Sequence, residues 1–76
     1  MTERQIKSLG RKWAAQMKDL GEKVRPRKTF TVKGGAKRVA LHWFVDTLGN
    51  VTVFTTQGHV LQLLRNELVH AFSAAK

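Results

Sequence analysis

The chain has 76 residues, no cysteine and a formal net charge of +9. That length makes one small domain with a thin core, and the lack of cysteine excludes a disulfide or a thiolate metal site as a brace. With 42% apolar residues a folded domain is expected rather than disorder, and no apolar run approaches the roughly 20 residues of a membrane span.

The residues Met1 to Gln5 lack the apolar block of a signal peptide. A cytoplasmic or nucleoid-associated protein is therefore expected. The placement of charge is more telling than its size. Residues 1–38 carry twelve Lys and Arg against Glu3, Asp19 and Glu22, whereas in residues 39–76 Arg65 and Lys76 balance Asp46 and Glu67. All the net charge thus lies in the first half. Self-repulsion in such a cluster destabilises a small fold, and an anionic partner offsets it. The alternative is a solubilising surface, for which an even spread would serve as well.

Thr2-Glu3-Arg4-Gln5 has the pattern of a capping box. Ile6, Leu9, Trp13, Met17 and Leu20 then recur at helical spacing on one stripe, and Gly21 suits the position just past the helix end. A helix over about residues 3–20 is expected. Arg4, Lys7, Arg11 and Lys18 fall on a second stripe, roughly opposite the apolar one. This ridge can lie along a phosphate backbone or be an ordinary solvated face.

The connector that follows, Glu22 to Lys28, has no period and is rich in cations, with Arg25, Arg27 and Lys28 around Pro26. Thr29-Phe30-Thr31-Val32 alternates polar and apolar residues and predicts a strand over about 29–33. Lys33-Gly34-Gly35-Ala36-Lys37-Arg38 reads as a hairpin turn with charged shoulders. Adjacent glycines also let backbone N–H groups form an anion-binding nest, here between Lys33, Lys37 and Arg38. No Walker pattern is present.

Val39 to Val45 is almost wholly apolar and predicts a strand over about 38–46. Asp46 to Asn50 carries a turn signal, and Val51 to Thr55 the next strand, over about 50–55. Expected cross-strand pairs are Val45 with Val51, Trp43 with Val53, Leu41 with Thr55 and Phe30 with Val39, all on a core face closed by helices. His42, Phe44 and Phe54 then share the other face with Thr29, Thr31, Arg38, Ala40 and Thr52. Such a face can stack bases, pair with a second copy or an acidic protein partner, or be covered by a loop or terminus. Val60, Leu61, Leu64, Leu68, Val69 and Phe72 match a helical period, so a second helix is expected over about 57–73.

The sequence thus predicts an α+β domain of order α-β-β-β-α, with a three-stranded antiparallel sheet and both helices on one face. This order is similar to that of the double-stranded RNA-binding domain and of the HicA family of small RNase toxins. His42-Trp43-Phe44, Gly49 and Val51-Thr52-Val53 resemble the toxin's central hairpin. The RNA-binding family has lysines at the start of its last helix, where Gln57-Gly58-His59 stands here. The toxin's Gly-Ser-His strand motif is absent, with Leu41 preceding His42. A basic hairpin on a three-stranded sheet also resembles integrase-type DNA-binding modules. The likeness is one of element order, which does not separate DNA from RNA; the clustered charge is what points to a nucleic acid.

Candidate nucleic-acid contacts are therefore Arg25, Arg27, Lys28, Lys33, Gly34, Gly35, Lys37 and Arg38, with Arg4, Lys7, Arg11 and Lys18 as a second track. His42 is the one candidate catalytic residue, as a base for RNA cleavage in which the 2′-hydroxyl is the nucleophile. A half-buried strand histidine is the alternative. No acid pair falls on one face, and His42, His59 and His70 lack ligand spacing. No enzyme, metal or cofactor is expected.

Overall fold

The computed structural model describes residues 1–64 and Asn66. Helix α1 (Glu3–Asp19) is followed by strands β1 (Lys28–Thr31), β2 (Lys37–Val45), β3 (Val51–Thr55) and β4 (Val60–Leu63). The strands form one antiparallel sheet in the order β1-β2-β3-β4. The class is α+β, but the sheet has four strands rather than three. The second helix expected over 57–73 is overturned at Val60–Leu63, which pairs with β3 as β4. Residue 65 and residues 67–73 of that expected helix lie outside the described residues. The α-β-β-β-α order, and with it the topological likeness to the RNA-binding domain and the toxin family, is not what this chain builds.

The first helix forms as its end signals require. The Thr2 hydroxyl accepts from the Gln5 N–H, and the Gln5 side chain accepts from the Thr2 N–H. At the other end Gly21, at φ 93°, donates to the Lys18 carbonyl, and the Glu22 N–H reaches back to Met17. These two bonds make a Schellman stop. The buried stripe is turned from the expected one. Gly10 and Ala14 are its buried residues, flanked by half-buried Ile6, Trp13 and Met17, whereas Leu9 and Leu20 are exposed. A small residue lies at the point of closest approach. A Cβ on Gly10 would stand 3.0 Å from Phe54 Cε1 and 3.2 Å from His42 Cδ2.

The three β-hairpins share one loop design. In each, the residue that opens the loop donates its N–H to the carbonyl four residues on. The residue three positions on donates back to the opener's carbonyl. The openers are Val32, Asp46 and Thr55, and the closing donors are Gly35, Gly49 and Gly58. These glycines have φ of 87°, 88° and 86°, which fits a three-residue loop closed by a left-handed residue. The side chain of the opener braces the last two loops. Asp46 Oδ1 accepts from the Leu48 and Asn50 N–H groups, and Thr55 Oγ1 accepts from Gln57 and His59.

Two register details correct the expected pairing. Lys33 lies inside the first loop, so Phe30 faces Arg38, not Val39. A bulge between Ala40 and His42 sets Ala40, not Leu41, opposite Thr55. The two offsets cancel for the core. Phe30 still joins Trp43, Val51 and Val53 in one buried cluster with Ala40 and Leu63, with Val32 and Val45 packed against it. Trp43–Val53 and Val45–Val51 pair as expected.

The helix takes the unexpected side of the sheet. Trp13 stacks on Phe44 and lies against Phe54, each at 5.8 Å between ring centroids. Neighbouring residues in a strand point to opposite faces, so the Trp43 cluster faces away from α1. Phe44 and Phe54, expected on an open face, are 8% and 2% exposed. Both sides of β2 are apolar, and α1 seals the side that carries its aromatic pair.

Candidate nucleic-acid interface

The connector between α1 and β1 is tied down rather than free. Arg25 exchanges two backbone hydrogen bonds with Trp43, at 2.7 and 3.2 Å. The Trp43 indole donates to the Pro26 carbonyl at 2.7 Å. The Arg25 guanidinium and the Lys28 ammonium stand 5.9 and 5.8 Å from the centroid of the same ring, within cation–π range. Trp43, read from the sequence as a core residue only, thereby positions two of the expected cationic contacts. An indole opposite cations one residue before and two residues after a proline is a signal the sequence holds only once the pairing is known.

The connector and α1 enclose a cleft of about 400 Å³. Arg11 and Lys18 come to it from the helix, Arg25 from the connector and His42 from β2, beside the apolar Ala14, Ala15, Val24 and Pro26. Of the connector and hairpin cations expected from the sequence, Arg25 lines this cleft beside Arg11 and Lys18 of the helix stripe. Arg11 also belongs to a second concavity with Glu3, Arg4 and Lys7, so it is common to both. Half-buried His42 has its pKa lowered from the ordinary histidine value. Burial is the largest cause, followed by the charges of Lys18 and Arg11.

The hairpin cations lie apart from this cleft. Lys37 and Arg38 line a separate concavity of about 510 Å³ with Thr55, Thr56, Gln57 and His59. Lys33, Gly34 and Gly35 stand exposed at the tip of the first hairpin. The nest expected at Gly34-Gly35 is altered by the loop itself, since the Gly35 N–H is already bonded to the Val32 carbonyl. Arg27 is exposed on the connector. Among the described residues one ion pair forms, Lys7 Nζ to Glu3 Oε1 at 3.4 Å, between exposed groups. Such an i,i+4 pair contributes a few tenths of a kcal/mol.

His42, Phe44 and Phe54 do not make an open protein-docking face, because α1 occupies it. No carboxylate and no second histidine lines the His42 cleft among the described residues. No helix among those residues is long and apolar enough to cross a membrane. No family model, curated protein or solved structure matches the chain.

Proposed function

We propose that this protein is a small nucleic-acid-binding module that docks on phosphates. It does so through the α1 ridge (Arg4, Lys7, Arg11, Lys18), the connector (Arg25, Arg27, Lys28) and the first hairpin (Lys33, Lys37, Arg38). The observation that carries this reading is the surplus of unneutralised cations. Residues 1–38 hold twelve of them, yet a single ion pair forms among the described residues. A fold that gathers its own positive charge around a half-buried histidine, and supplies no acid there, is at rest with an anion present. A nucleic-acid backbone offers successive phosphates to cations carried on separate elements.

The rival readings fare differently. Self-association through the His42/Phe44/Phe54 face has lost its surface to α1, while an acidic protein would still meet the exposed ridge of Arg4, Lys7, Arg11 and Lys18. RNA cleavage with His42 as base would have to draw its leaving-group proton from Lys18, since no carboxylate and no second histidine lines the cleft among the described residues; intact RNA after long incubation would end that reading.

The test is a fluorescence-anisotropy titration with labelled duplex DNA, duplex RNA and single strands over a salt series. If about six phosphates are neutralised, log K against log salt should have a slope near −5 for duplex DNA. The double variants Lys37→Glu/Arg38→Glu and Arg11→Glu/Lys18→Glu should each lower both affinity and slope. Affinity that ignores salt, or full binding by both variants, would end this reading.

A further inference from the structure

The cleft between α1 and the connector has a mixed lining that a purely electrostatic surface does not need. Its rim is charged, with Arg11, Lys18 and Arg25, and His42 projects into it from β2. Its apolar lining comes from buried Ala14, half-buried Val24 and exposed Ala15 and Pro26. At about 400 Å³ it lies in the lower part of the roughly 300–1,000 Å³ range of ligand sites. That is more room than a bare phosphate needs. Arg25 holds its guanidinium toward Trp43, which leaves Arg11, Lys18 and His42 as the groups free to converge on a ligand.

We propose that this cleft seats one nucleotide of the bound strand, its phosphate between Arg11, Lys18 and the protonated His42 ring, its sugar against the alanine and proline lining. The inference rests on the nucleic-acid reading above and adds to it a particular site and a role for His42 as phosphate donor rather than base. A protonated imidazole donates from both nitrogens, and a charge-assisted bond to phosphate is stronger than a neutral one.

The site has a built-in dependence on pH. The charged groups that share the cleft with His42 are Arg11 and Lys18 on α1 and Arg25 on the connector, while β3 and α1 add the uncharged Phe54 and Gly10. In the free protein burial and the two helix cations oppose protonation of the ring. A docked phosphate reverses the local field, so binding takes up a proton. Affinity is full where the ring is protonated in both states, and it falls as pH rises through the window between the free and bound values. Each unit by which the phosphate raises the ring's pKa is worth about tenfold in affinity.

The experiment follows the His42 ring by NMR in the full chain, with His42→Gln assigning its signal against His59 and His70. Titrations are run from about pH 5.5 to about pH 8, alone, with a short DNA duplex, with its RNA counterpart, and with inorganic phosphate. Anisotropy is measured over the same range. We expect the ring to titrate at higher pH with a duplex, and duplex affinity to fall with rising pH in the native chain. His42→Gln should bind with no such dependence. Ala15→Glu, an exposed helix position, should remove the duplex-induced shift without unfolding the protein. A duplex that binds with a steep salt slope but leaves the His42 titration unmoved overturns the nucleotide seat and spares the general reading. A shift with inorganic phosphate but not with a duplex also overturns the seat, as a small-anion site only. Failure of both duplexes to bind removes seat and reading together.

Discussion

Gly10→Ala tests the helix–sheet seam because two effects of opposite sign compete there. In an isolated helix, alanine for an interior glycine stabilises by about 1 kcal/mol. Here the new methyl would stand 3.0 and 3.1 Å from two Phe54 ring carbons and 3.2 Å from His42 Cδ2. Phe54 is 2% exposed and bounded by Trp13, so a shift of its ring disturbs the Trp13 contact. Forcing a methylene-sized group into a packed seam costs about 1–3 kcal/mol. Taking the middle of that range, the net loss is about 1 kcal/mol. In a domain of this size that lowers Tm by about 4–8 °C, read by circular dichroism alongside urea unfolding. A rise in Tm of similar size would mean that propensity acts alone, and that α1 does not lie this close to the Phe54 ring.

Gly58→Ala should destabilise by about 1–2 kcal/mol in urea unfolding, because φ of 86° is a left-handed conformation that costs an L-residue about that much. Thr55→Ala should cost about 1 kcal/mol by removing the hydroxyl that accepts from the Gln57 and His59 N–H groups, while Thr55→Ser retains most of the stability. Trp43→Phe deletes the donor to Pro26 and weakens the ring under Arg25 and Lys28. Hydrogen exchange at the Arg25 amide should then accelerate, and a rate equal to that of the native chain would show that the connector does not depend on the indole. For His42 the folded pKa lies below the unfolded one, so the unfolded chain binds the extra proton. Stability is therefore full above the unfolded histidine value, about 6.5, and is lost as pH falls through the folded one. Denaturation midpoints should drop over that acid interval, less in Lys18→Ala and not at all in His42→Gln.

The parts of this fold that were legible in the sequence were those set by neighbours along the chain. The capping box at Thr2 and Gln5 and the stop at Gly21 are local chemistry, and both formed as read. The central hairpin was readable because Asp46 to Asn50 fixes the loop, and with it Trp43 against Val53. The last strand was missed for an instructive reason. Val60, Leu61 and Leu64 fit a helical period, but Thr55-Thr56-Gln57-Gly58 repeats the polar opener and the glycine three residues later of Asp46-Thr47-Leu48-Gly49. Turn chemistry, weighed against periodicity, would have pointed to a third hairpin. The side chosen by α1 was not readable at all. Trp43, Phe44 and Val45 make both faces of β2 apolar, and no pattern of alternation distinguishes them. The candidate site inherited that ambiguity. Its cations could be named, but the meeting of Arg11, Lys18 and His42 depends on which face the helix covers.

The repeated three-residue loop has a kinetic consequence. Because every strand pairs with the next one in the chain, the sheet can assemble by successive short closures, each costing little loop entropy. Its contacts are local for a protein so rich in strands, which favours rapid folding. The long closure brings the N-terminal helix back onto strands that follow it by a few dozen residues, so α1 must wait for the platform beneath it. On a ribosome α1 would emerge ahead of the strands and remain uncovered until β3 supplied the Phe54 ring.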